Sequence, residues 1–128
     1  MTKTNFKDKF PINTIEIKKD ATALKSVDAI LEQIKNNIEQ HPVAVYVATF
    51  DNYAHTSSLN GEIMEGMKDA KVIMFCFGSA IPTNKILAIR PRSIGISEFD
   101  DKFVFDFMDA PKEELTNIMA KWCNNIKI

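Results

Sequence analysis

The chain has few of the residues that announce a particular chemistry. Only two cysteines, Cys76 and Cys123, occur in 128 residues. They stand in neither a C-x-x-C pair nor a zinc spacing, which excludes a disulfide framework and leaves two reduced, mostly buried thiols as the expectation. The two histidines, His41 and His55, lie apart and fall short of the three or four ligands a metal site needs, so neither metal nor cofactor is expected. No apolar run exceeds about seven residues, against the ~20 of a membrane-spanning helix. The opening MTKTNFKDKF carries no apolar signal core. No membrane association is expected, and the chain reads as cytoplasmic. Neither charge sign dominates: sixteen basic residues against seventeen acidic ones leave a net charge of −1. There is no global positive field to attract phosphate backbones, so nucleic acid is not an expected partner. Repeats, linkers and low-complexity tracts are also missing, and the length suits one domain burying roughly two thirds of its unfolded surface.

What is present is concentrated between Val72 and Met108. The apolar run VIMFCF predicts a strand buried on both faces, and IGISEF and KFVFDFM, joined at Asp100, Asp101 and Lys102, predict a half-exposed hairpin. Phe103, Phe105 and Phe107 share one face of it by the two-residue period and are expected in the core. Upstream, residues 1–10 read as a flexible tail and residues 11–128 as a single domain. INTIEIK alternates as an edge strand. Leu24, Val27, Ile30, Leu31, Ile34 and Ile38 form the apolar stripe of a helix from about Thr22 to Gln40, with Asp20 as a candidate N-cap and Pro42 ending it. VAVYVATFD is almost wholly apolar and is expected inside the sheet.

A loop with a short helix should follow from Asp51 to Lys71. Another short helical insert is expected around Pro82 to Ile89, ended by Pro91. The last helix carries Leu115, Ile118, Met119, Trp122 and Ile126 on its buried stripe, with Asp109 or Ala110 as cap and Pro111 in the first turn. The expected fold is therefore α+β, in the order β-α-β-β-β-β-α. It has a mainly antiparallel sheet, two long helices on one face, short helical inserts, and the other face left to solvent or a partner.

That order resembles the TBP-like fold class. Within it, the run from Val45 to Pro111 resembles the small bacterial proteins of domain of unknown function 302. Their strand ending in Asp-His corresponds to Asp51 and Asn52. Their Phe-Gly-Asn-Pro corresponds to Phe77, Gly78, Ser79 and Ala80, and their acidic or amide residue near a proline to Asp109 to Pro111. The histidine is replaced by Asn52 and the Asn-Pro pair by Ser79-Ala80. The resemblance implies a fold and carries no activity.

The candidate site is the cluster Ser79, Thr83, Asn84, Lys85, Arg90 and Arg92, which gathers donors on the loop and helix start after the buried strand. Arg90 and Arg92 are the only arginines, and a guanidinium fork suits a carboxylate or phosphate. The alternative use of both arginines is pairing with surface acids such as Glu98, Asp100 or Asp106. The favoured reading is a non-enzymatic binding or regulatory module, a homodimer covering its free sheet face or edge, that holds a small anionic ligand there. A second reading makes the chain a small enzyme using His55 with Asp51, or Cys76, in a pocket beside the sheet. Cys76, among apolar neighbours, reads first as a core residue, and Cys123 as a residue that could face solvent.

Overall fold

Alternating apolar residues in a strand build one oily face, and four strands of this chain do so in step. The computed structural model describes residues 1–128. Its elements are β1 (Thr2–Phe6), β2 (Phe10–Lys18), α1 (Val27–Gln40), β3 (Val45–Phe50), α2 (Asn52–Ser58), β4 (Asp69–Cys76), β5 (Arg92–Glu98), β6 (Lys102–Met108) and α3 (Glu113–Asn124). A 3-10 turn at Lys19–Ala21 and a 3-10 helix at Asn84–Ile89 complete them. The strands form one six-stranded, wholly antiparallel sheet in the order β1-β2-β6-β5-β4-β3.

Ile15 and Ile17 of β2, Ile73 and Phe75 of β4, Ile94 and Ile96 of β5, and the three phenylalanines of β6 all fall on the same face and are buried. They join Ile30, Ile34 and Ile38 of α1 and Met119, Trp122 and Cys123 of α3 in one core. Both long helices therefore cover one face of the sheet, as expected, and the fold is α+β. Each large side chain removed from water in this way contributes about 1.5–3 kcal/mol.

Several local expectations are corrected. Thr2–Phe6 is not a tail: it pairs with β2, which is consequently an inner strand. The connection turns through Lys7 and Asp8 at φ of 54° and 57°, a left-handed geometry reached without a glycine. β3 is the opposite edge rather than an inner strand, with Val45 60% and Val47 50% exposed, because β5 already occupies the inner side of β4. β4 is inner but buries one face only: Ile73 and Phe75 are fully buried, whereas Val72, Met74 and Cys76 on the other face are half-buried. Cys76 is thus half-buried outside the core, whereas Cys123 is fully buried within it and its thiol pKa is pushed up by desolvation.

α1 starts at Val27, with Ser26 accepting the Ala29 N–H at 3.0 Å. The residues before it are engaged elsewhere: Asp20 lies in the 3-10 turn, and Thr22 bridges to Lys127 and donates to the Ile126 carbonyl at 2.6 Å. α3 likewise starts late, at Glu113, because Thr116 Oγ1 takes the Ala110 N–H at 2.8 Å and the Asp109 carboxylate is held by Asn13 and Lys3. No helix is long and apolar enough to cross a membrane.

Candidate functional site

β4 ends at Cys76, and the chain leaves the sheet through Phe77, Gly78, Ser79 and Ala80. It comes back through the 3-10 helix and enters β5 at Arg92. The excursion folds over Gly78, where any Cβ would collide with the guanidinium of Arg90. Its φ is ordinary, so what glycine provides here is room for the Arg90 guanidinium, which a larger residue would push aside. Arg90 lies across that backbone and donates from Nη1 to the Ala80 carbonyl at 2.7 Å. Its remaining donors have no protein partner.

Arg92, two residues on, is used differently. Its Nη2 donates to the carbonyls of Met108, at 3.1 Å, and Asp109, while Nη1 reaches the Ile89 carbonyl at 3.4 Å. Burial lowers its pKa from the usual arginine value, and the Asp109 charge opposes that shift. Neither arginine forms an ion pair: Glu98 binds Lys19, Asp100 binds Lys68, and Asp106 accepts from Thr14. Asp109 sits between Asn13 Nδ2 at 2.7 Å and Lys3 Nζ at 2.6 Å. The Asn13 hydrogen bond first, then the one from Lys3, hold its carboxyl below the usual carboxylate range.

These pieces enclose a cavity of about 410 Å³. The Phe77–Ala80 loop and both arginines form one side, Ile86 and Ile89 of the 3-10 helix another, and Lys112, Glu114 and Leu115 at the start of α3 the third. His41 and Val43 close the back. His41 Nδ1 accepts from the N–H groups of Val43 at 3.1 Å and Ala44 at 3.0 Å, which assigns the ring proton to Nε2. Phe77 stacks on Trp122 at 5.5 Å and meets the His41 ring edge-on at 5.4 Å. Three cations and one carboxylate line the space, so its charge is positive. A second, more open cavity of about 660 Å³ shares Gly78, Ser79 and Arg90 and adds Val47, Cys76 and Leu87.

Of the residues singled out from sequence, Ser79, Arg90 and Arg92 come together at the first cavity. Thr83, Asn84 and Lys85 do not: they are exposed on the 3-10 helix and line neither cavity. Thr83 serves as that helix's N-cap, accepting weakly from the Lys85 N–H at 3.4 Å. Asp51 caps α2 by accepting from Ala54 N–H at 2.9 Å and lies 3.7 Å from Lys71 Nζ. His55 is exposed against Phe50, outside both cavities. Cys76 lines the second cavity, its Sγ accepting the Gly78 N–H at 3.4 Å.

His41 and Lys112 went unmarked in the sequence. The one signal for His41 was its place before Pro42, which reads as a helix stop. Lys112 follows the Asp109–Pro111 stretch that the family resemblance had already pointed to.

A family model described as a family of unknown function, DUF6858, matches residues 1–128. No curated protein matches the chain. Among solved structures, the chain is similar to the crystal structure of an uncharacterized conserved protein, DUF302, from Bacillus stearothermophilus. The TM-score is 0.57 at 7% identity, over 88% of this chain and 91% of that one. At that identity the likeness is one of fold, and it agrees with the resemblance read from the residues. Since the family model spans all 128 residues, the chain belongs to DUF6858, a family of unknown function whose member here carries a DUF302-like fold.

Proposed function

We propose that the protein is a non-enzymatic binding module that holds a small anionic ligand in the cavity between the Phe77–Ala80 loop and the start of α3. The supporting observation is the convergence of Arg90 and Lys112 on a partly enclosed, apolar-walled space in which Glu114 is the lone carboxylate. Charge-assisted hydrogen bonds gain strength where water is partly excluded, and Arg90 has donors to spare. Arg92 acts as the brace that ties the start of β5 to the end of β6 behind it.

A catalytic Ser79–His41 pair in this cavity is disfavoured by the tautomer of His41. With Nδ1 accepting two backbone hydrogen bonds, Nε2 carries the proton and cannot accept one from Ser79 as a general base. Two unpaired thiols suit a reducing compartment, and the bacterial cytoplasm is the proposed setting.

Thermal unfolding with sodium acetate, sodium benzoate and sodium phosphate tests the reading. A saturable rise in Tm is expected with at least one of them, equivalent to about 2.7 kcal/mol at a hundredfold excess over Kd. Arg90→Gln should abolish the rise, and Lys85→Gln, outside the cavity, should leave it intact. No shift with any of the three anions would remove the proposal.

A second proposal concerns assembly and rests on β3. From Val43 to Phe50 this edge carries no charged side chain and exposes Val43, Val45, Val47 and Phe50. Apolar edges without charges pair readily with another strand, and this one is interrupted only by a shift of register between Tyr46 and Ala48. With no like charges to repel, a second copy of the same edge is the proposed occupant, in a two-fold homodimer. Sedimentation equilibrium should report a dimer that Val45→Lys converts to a monomer. A native protein that stays monomeric into the hundred-micromolar range would contradict it.

A further inference from the structure

The ring wall, the rim carboxylate and the size of the cavity narrow its ligand class. We infer, resting on the anion-binding reading above, that the cavity takes a flat aromatic monocarboxylate rather than inorganic phosphate or a nucleotide. Three observations converge on this.

The first is charge. Arg92 has committed both terminal nitrogens to the carbonyls of Ile89, Met108 and Asp109. Arg90 has committed Nη1 to Ala80. What remains for a ligand is the rest of the Arg90 guanidinium and the buried, unpartnered Nε of Arg92, with Ser79, Lys112 and His41 also lining the space and the Glu114 carboxylate on its rim. A single carboxylate matches that supply. A phosphate dianion would face the Glu114 carboxylate with twice the charge.

The second is the wall. Phe77 is fixed by stacking on Trp122 at 5.5 Å with planes 19° apart, and the His41 ring stands edge-on to it at 5.4 Å. Trp122 is itself buried, so Phe77 has a rigid backing and presents a preformed aromatic surface. Aromatic groups add to such a surface in offset-stacked or edge-to-face geometry. Ile86, Ile89 and Leu115 supply the remaining apolar contact.

The third is size. A space of about 410 Å³ lies near the lower end of the range for small-molecule sites, which suits a one- or two-ring acid. A nucleotide would bring a ribose and base edges to walls that offer them few hydrogen-bonding groups.

Isothermal titration of the unmodified protein with sodium phenylacetate, indole-3-acetate, cyclohexaneacetate, acetate, phosphate and the neutral phenylacetamide tests this. Phenylacetate or indole-3-acetate should bind saturably, at least tenfold more tightly than acetate, phosphate and phenylacetamide, and several-fold more tightly than cyclohexaneacetate. In Phe77→Leu the advantage over cyclohexaneacetate should disappear while acetate is unchanged. The wild-type series stands by itself if that variant folds poorly. Aryl carboxylates binding no better than acetate, or more weakly than phosphate, would overturn the ligand class and leave anion binding in place. Failure of every anion would overturn both, and equal binding of phenylacetamide would show an apolar pocket with no carboxylate anchor.

Discussion

Replacing Phe75 with alanine is expected to lower stability by about 3–5 kcal/mol, the usual cost of deleting a buried phenylalanine together with the void it leaves. The ring is fully buried on the one face of β4 that the helices cover, packed edge-on against Phe77 at 5.6 Å and Trp122 at 5.4 Å. It therefore supports both the core and the aromatic wall of the cavity. Its neighbour Met74 points to the uncovered face and is only partly buried, so Met74→Ala should cost far less. Urea denaturation of both variants, with unchanged m-values, measures the contrast. Equal losses, or a loss below about 1 kcal/mol for Phe75→Ala, would mean that β4 does not turn this face to the helices.

Arg92→Met should cost about 1.5–3 kcal/mol although it removes no ion pair, because hydrogen bonds to a charged group are among the stronger ones and carbonyls lose their donor. Its Nη2 joins the end of β6 to the start of β5 by serving both Met108 and Asp109. Lysine at the same position should rescue little of that loss, since one ammonium on a flexible stem cannot reproduce the planar fork. The measurement is again the denaturation midpoint. A variant as stable as the native protein would assign these contacts no weight and would return Arg92 to the ligand as a free cation. The distinction matters because two arginines in the motif RPRS look equivalent in sequence, whereas their surroundings give one to the scaffold and the other to the cavity.

That pair illustrates where the sequence was legible. Periodicity reports which side chains share a face, and it located the triple-phenylalanine strand, the stripe of α1 and the placement of both helices on one face. It says nothing of which strands are neighbours. VAVYVATF is apolar enough to suggest an inner strand, yet β3 lies at the edge with its valines in solvent. TKTNF is polar enough to suggest a tail, yet it is held by backbone pairing that polar side chains do not prevent. Its turn uses Lys7 and Asp8 in left-handed geometry, and lysine carries no turn signal. Helix starts slipped for a related reason: Thr22 and Asp109 were engaged by residues distant in sequence, a tie that no local window contains. The site was half legible. The loop after β4 and the arginines were visible, but His41 and Lys112 reach the cavity only through the packing of α1 and α3 around it.

The central claim is that one cavity, braced by Arg92 and fronted by Arg90, receives an anion. Backbone amide chemical shifts recorded while phenylacetate is titrated into the isotope-labelled protein test it most directly. Saturable perturbations are expected, confined to Phe77–Ala80, Arg90, Val43 and Lys112–Leu115, with Asn52–Ser58 silent. Shifts scattered over the surface, centred on His55, or absent at saturating concentration would contradict it.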